Sequence, residues 1–199
     1  MKQNNRPKYK QIIDAAIIVI AENGYHQAQV SKIAKQARVA DGTIYLYFKN
    51  KEDILVSLFR EKMGSFIREM EKEIPSKQTA SEKLLMLIEK HFTLLAANNK
   101  LAIVTQLELR QSSKQLRYRI NEILKRYLDI VDDIISFGKQ AGEFDRKLNS
   151  RLARQMIFGT IDETVTTWVM NEQKYNLIEL AKEVHELLIW GFRKRLFET

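Results

Sequence analysis

Cysteine is absent from this chain, so neither a disulfide framework nor a cysteine-ligated metal site is available to it. Proline occurs twice and glycine seven times in 199 residues. Turns consume both residue types, so a chain rich in strands is disfavoured and a helical one expected. No run approaches the roughly 18 uncharged apolar residues of a membrane span. The opening MKQNNRPKYKQ is basic and polar, and the apolar stretch after it is broken by Asp14 and Glu22, so no signal-peptide block is expected. The chain reads as soluble and cytoplasmic. What is present is a 45% hydrophobic share, 29% charged residues and a formal charge of +8. Those proportions suit one large domain or two small ones with a core of their own. Residues 1–55 carry nine basic and five acidic side chains, so half of the excess lies in about a quarter of the sequence. That placement is compatible with a polyanionic partner.

Periodicity predicts an all-α fold of about nine helices. After Pro7, residues Ile12, Ile13, Ala16, Val19 and Ile20 recur at helical spacing and stop at Asn23-Gly24. Val30, Ile33, Ala34 and Ala37 mark a second helix, and Thr43 to Phe48 a short third one. Asn50 reads as the cap of a long fourth helix ending at Pro75, and Thr79-Ala80-Ser81-Glu82 as a capping box opening a fifth. A short helix over about Lys100–Arg110 is expected, then a long one from Ser113 to Ala141-Gly142. Asn149 caps the next, and Asn176 with Glu179 the last.

The stretch from about Gln29 to Phe48 has the makings of a helix-turn-helix. Ala34 is small where two helices must touch, and Ile33, Ala37, Val39 and Ile44 fix their crossing. Asp41, Gly42, Thr43, Tyr45, Leu46 and Tyr47 are left on or near an outward face that could enter a major groove. Lys49 and Lys51 follow, Lys51 in the first turn of helix four, where backbone N–H groups also face anions. The competing reading is a buried aromatic run over Ile44–Phe48. Its close flanking by Asp41, Lys49 and Lys51 argues against it.

Residues 30–55, with the run Gly42-Thr43-Ile44-Tyr45-Leu46-Tyr47-Phe48-Lys49-Asn50-Lys51-Glu52 and the Asn23-Gly24-Tyr25 that ends helix one, resemble the DNA-binding segment of TetR-type transcriptional regulators. The resemblance implies an N-terminal three-helix DNA-binding domain, residues 1–52, and a helical ligand-binding and dimerisation domain, residues 53–199. It also implies a homodimer, paired through the last two helices, that reads a palindromic operator in double-stranded DNA. Thr43 and Tyr45 carry over as base or groove contacts, and Tyr47 and Lys51 as phosphate contacts. Gln29, Ser31, Lys32, Arg38, Asp41 and Gly42 complete the candidate DNA-binding surface. Arg38 stands where the family usually has a turn glycine, and a positive φ there costs a non-glycine residue on the order of 1 kcal/mol. Ala40 stands where a capping serine is common, which leaves Asp41 as the nearest substitute.

The stretches 101–112 and 151–170 resemble the branch of that family that represses fatty-acid degradation and is released from DNA by long-chain acyl-CoA. An acyl-CoA site needs an apolar tunnel and cations for the phosphates. Phe66, Phe92, Leu95, Val104, Leu107, Tyr127, Ile130 and Phe158 are candidates for the tunnel. Arg110, Arg119, Lys125, Arg126, Arg151 and Arg154 are candidates for the headgroup. Ordinary core competes for each aromatic, and an ion-paired or solvated face for each arginine. The apolar stripes of the last two helices have the same bland reading, a monomer core.

Enzyme signatures are missing: there is no GxSxG, no glycine-rich phosphate loop, and His26, His91 and His185 are scattered rather than paired at metal spacing. No catalytic residue, metal or cofactor is expected, and His91 beside Phe92 reads as a core or pocket polar group. The alternative within the same fold is a repressor of an efflux or stress operon that senses another lipophilic ligand. Glu108 and Asp162 are the carboxylates that would serve a cationic one.

Overall fold

A computed structural model of the chain describes residues 7–108 and 114–193. Among the described residues there are nine α-helices and no strand, as the periodicity predicts. They are α1 (Pro7–Gln27), α2 (Val30–Gln36), α3 (Asp41–Tyr45), α4 (Lys51–Glu73), α5 (Ala80–Ala96), α6 (Asn99–Ile103), α7 (Lys114–Ala141), α8 (Ser150–Met170) and α9 (Leu180–Phe192). No described helix is long and apolar enough to cross a membrane.

Three of the four caps read from the sequence form. Asn50 Oδ1 accepts from Asp53 N at 2.8 Å to open α4. Thr79 and Glu82 close a reciprocal capping box on α5 (3.1 Å each way), and Asn149 Oδ1 accepts from Leu152 N at 3.1 Å on α8. Gly24, at φ 74, kinks α1, and Gly142, at φ 77, follows α7. Both take the left-handed backbone that glycine adopts without a Cβ clash.

Four boundaries differ from expectation. The third helix starts at Asp41 rather than Thr43 and ends at Tyr45, because Ala40 already adopts the extended capping geometry. Helix α4 ends at Glu73, and Ile74–Ser76 form one 3₁₀ turn around Pro75. The expected helix over Lys100–Arg110 is α-helical only to Ile103, and Val104–Glu108 form a π turn. Three β-branched residues in a row, Ile103-Val104-Thr105, crowd the preceding turn. The Thr105 hydroxyl also donates back to the carbonyls of Leu101 and Ala102 (3.0 and 3.2 Å). Helix α9 begins at Leu180, three residues later than expected, since Asn176 Oδ1 accepts from Ile178 N at 3.1 Å and its amide donates to Glu179. That pairing closes a turn before the helix starts.

The chain folds into two compact units, Met1–Gly64 with Asn99–Ile123, and Ser65–Asn98 with Leu124–Thr199. In the first, α1 packs against α2, α6 and the π turn, and α2 against α3. Ile12, Ile13, Ala16, Ile20, Ile33, Ala34 and Ile44 are buried there, and Tyr9 stacks on Phe48 with ring centroids 5.2 Å apart. In the second, α5 packs on α8 and α9, and α8 on α9. Leu84, Leu87, Ile88, Ile157, Ile161, Val165 and Leu188 are buried there. Burial of side chains of this size stabilises by about 1.5–3 kcal/mol each.

Candidate DNA-reading head and effector site

The turn between α2 and α3 is set by backbone chemistry. Arg38 adopts φ 51, its N–H donates to Lys35 O at 3.1 Å, and Val39 N donates to Ala34 O at 3.0 Å. Those two bonds are the Schellman closure of α2, with arginine in the left-handed position usually held by glycine. The positive φ read from the sequence is present. Ala40 then caps α3 with no side-chain bond, and Asp41 lies in the first turn, where its charge suits the helix dipole.

Helix α3 is anchored by Ile44 and, just beyond it, Phe48, which are 1% and 2% exposed, while Tyr45 and Leu46 stand 60% and 72% exposed. Asp41 and Gly42 are exposed, Thr43 is half-buried, and Tyr47 is half-buried with its ring 6.3 Å from that of Tyr9. Gln29, Ser31, Lys32 and Arg38 are exposed. Lys32 Nζ donates to Asn23 Oδ1 at 2.8 Å.

Lys51 is half-buried and has a role that the sequence did not signal. Its Nζ donates to the carbonyls of Tyr25 and His26 (2.9 and 3.0 Å) and lies 4.7 Å from the centre of the Tyr25 ring. The ammonium thus ties the start of α4 to the end of α1 and keeps one N–H for another acceptor. On the other side of that joint, Glu108 Oε2 accepts from Tyr25 N at 2.7 Å. The kink at Gly24 and the segment behind it are therefore held from α4 and from the π turn.

In the second unit, aromatic rings converge. His91 lies 5.7 Å from Phe66, 6.4 Å from Phe92 and 5.7 Å from Tyr127, centre to centre. Tyr127 lies 6.1 Å from Phe66 and 5.9 Å from Phe158. All are buried except Phe158, which is half-buried. Neither ring nitrogen of His91, nor the Tyr127 hydroxyl, has a hydrogen-bond partner among the described residues. Burial lowers the His91 pKa to about 4, so the ring is neutral at pH 7. Burial, helped by the negative charge of Asp162, raises that of Tyr127. Leu95 is buried in the same unit. A cleft of about 310 Å³ in that unit is lined by Met70, Ile130, Ile134 and Phe137.

The remaining candidates are distributed differently. Val104 is buried and Leu107 half-buried, both in the first unit. Arg119 pairs with Asp53 at 2.8 Å, Arg126 with Glu71 at 2.7 Å and Arg154 with Asp132 at 2.6 Å. Lys125 and Arg151 are exposed, and Arg110 lies outside the described residues. Among the described residues no group of acidic, histidine or cysteine side chains could hold a metal ion.

Comparison with known proteins gives this arrangement its context. Residues 12–58 match the model of the bacterial regulatory proteins of the tetR family, and residues 59–191 that of the YsiA-like protein C-terminal region. The fatty acid metabolism regulator protein of Bacillus subtilis (strain 168) is 69% identical over 98% of this chain and its own full length. The crystal structure of the transcriptional regulator FadR from Bacillus subtilis in complex with stearoyl-CoA covers 93% of this chain and all of that one, with a TM-score of 0.90 at 69% identity. The solved structure of the fatty acid degradation regulator FadR from Bacillus halodurans covers the same shares with a TM-score of 0.89 at 60% identity. With one family model on the reading head and the other on most of the remaining chain, this protein belongs to the TetR family of bacterial transcriptional regulators.

Proposed function

We propose that this chain represses fatty-acid degradation genes by binding their operator DNA and is released by long-chain acyl-CoA. The observation that carries the reading is 69% identity, over essentially the whole of both chains, to a fatty acid metabolism regulator whose crystal structure holds stearoyl-CoA. The protein acts by binding, in the cytoplasm where its operators lie, with no chemical step of its own.

In this reading residues 1–52 form the DNA-binding domain and residues 53–199 the effector and dimerisation domain. Thr43 and Tyr45 meet base edges, and the free N–H of Lys51, with Tyr47, meets phosphate. Gln29, Ser31, Lys32, Arg38, Asp41 and Gly42 flank them. Phe66, Phe92, Leu95, Tyr127 and Phe158, which share the second unit, receive the acyl chain. Arg154, in the same unit, meets the headgroup by exchanging its present carboxylate, that of Asp132, for phosphate. Two copies pair through α8 and α9 to span a palindrome. Support comes from large apolar side chains standing exposed on those helices: Leu152, Met156, Met170, Leu187 and Trp190 are 45–74% exposed. A lone soluble chain rarely presents so many on two neighbouring helices. The rival, a sensor of lipophilic cations, would call on Glu108 and Asp162, and one oxygen of Glu108 already accepts from Tyr25 N.

The test is an electrophoretic shift on DNA from upstream of fatty-acid degradation genes. Binding that stearoyl-CoA reverses and stearate does not is expected. Binding that no acyl-CoA reverses would refute the effector assignment.

A further inference from the structure

Two polar side chains of the second unit are buried without hydrogen-bond partners among the described residues, and they face each other. His91 and Tyr127 have ring centres 5.7 Å apart with planes inclined at 70°. They are 7% and 0% exposed. Phe66 lies against both, and Phe92 and Phe158 complete the wall. Leaving a donor buried and unmade is costly, so a natural core retains such a pair only where something else satisfies it. Here three polar atoms in one aromatic cage share that condition.

We propose that His91 and Tyr127 read the thioester carbonyl of the acyl-CoA effector, donating hydrogen bonds to that one uncharged oxygen. The inference rests on the effector reading above and sharpens it, because it says which atom of the ligand the buried pair recognises. The chemistry of the cage selects the acceptor. His91 is held neutral by its burial, so it offers one N–H and no positive charge. Asp162 places negative charge near Tyr127, which disfavours an anion beside the phenol. A carboxylate brought into this cage of aromatic rings would pay a large desolvation cost. A carbonyl oxygen needs only donors, and two are waiting. The cage would therefore accept an acyl thioester and turn away the free fatty acid that differs from it at this one group. Phe158 is the half-buried ring of the wall.

The test compares stearoyl-CoA with S-octadecyl-CoA, the thioether that lacks the carbonyl, on the full-length protein, with stearate as a third probe. The native protein is expected to bind the thioether about tenfold more weakly than the thioester, since a buried donor is left unpaired. Tyr127→Phe is expected to lose about the same factor towards the thioester and to lose most of the discrimination, while melting, ligand-free, at or above the native temperature. His91→Leu provides the second variant and is expected to lose discrimination likewise. Equal native affinity for the two CoA derivatives would overturn the inference and leave the effector reading standing. So would a Tyr127→Phe protein that melts lower with discrimination intact, the signature of a structural buried water. A native protein that binds neither CoA derivative would overturn the effector reading and this inference together.

Discussion

Glu108 Oε2 accepts the backbone N–H of Tyr25 at 2.7 Å, across 83 positions of sequence. Tyr25 follows the glycine that kinks α1, so its amide has left the helical ladder, and a carboxylate on the π turn takes the place of a carbonyl. Lys51 holds the carbonyl of the same residue from α4. The joint from which α2 and α3 extend is thus set by two side chains that come from other elements.

Glu108→Ala should therefore loosen the reading head without touching it. The lost bond is charge-assisted but only partly buried, so a stability loss of about 1–2 kcal/mol is expected in thermal melts. Operator affinity, measured by fluorescence anisotropy, should fall by several-fold. Glu108→Gln keeps an acceptor and should restore most of both. An alanine variant with unchanged affinity would show that the joint does not transmit to α3.

Arg38→Gly separates strain from recognition. Glycine removes the positive-φ cost at the Schellman position, so the variant should melt a few degrees higher, corresponding to about 1 kcal/mol or less once glycine's larger unfolded-state entropy is counted. If the exposed guanidinium meets phosphate, affinity should fall and the slope of log affinity against log salt should shrink by about 0.9. Higher stability with unchanged salt dependence would remove Arg38 from the DNA surface.

Leu187 is 74% exposed on α9 and Trp190 70% exposed one turn on. Leu187→Asp places a charge in the proposed dimer interface. Sedimentation should then report a monomer, and affinity for a palindromic operator should drop by more than tenfold because only one half-site is held at a time. A dimer that survives this change would move the interface elsewhere.

What the sequence discloses and what it hides divide by distance along the chain. Asn50, the Thr79–Glu82 box, Asn149 and Gly142 act on residues three or four positions away, so residue type and spacing suffice to find them. Arg38 is legible only through the family resemblance, which sets a turn glycine at its position. The π turn at Val104–Glu108 is not, because its residues suit an ordinary helix and the departure arises where the Thr105 hydroxyl competes for carbonyls. For Arg119 and Arg154 the sequence leaves headgroup contact and ion pairing both open, and the partners, Asp53 and Asp132, reach them from 66 and 22 positions away. His91 and Tyr127, on α5 and α7, carry no shared local pattern. Only folding brings them together.

Acid sensitivity should follow from His91. Burial, the sole cause acting on it, lowers its pKa from the usual 6.5 to about 4 in the folded protein. The unfolded chain consequently binds a proton at a higher pH than the folded one. Folding stability is then complete above about pH 6.5 and declines as pH falls from there towards 4, by on the order of 3 kcal/mol over the whole interval. His185, lowered chiefly by burial and raised in part by its bond to Ser81, adds to the decline with the same sign. The difference between native and His91→Phe melting curves isolates the first residue. That difference should grow below pH 6.5 and flatten near pH 4, with the phenylalanine variant gaining on the native protein as acid is added. Parallel curves across the range would mean that His91 takes up its proton as readily in the fold as in the unfolded chain, against the burial that holds it neutral.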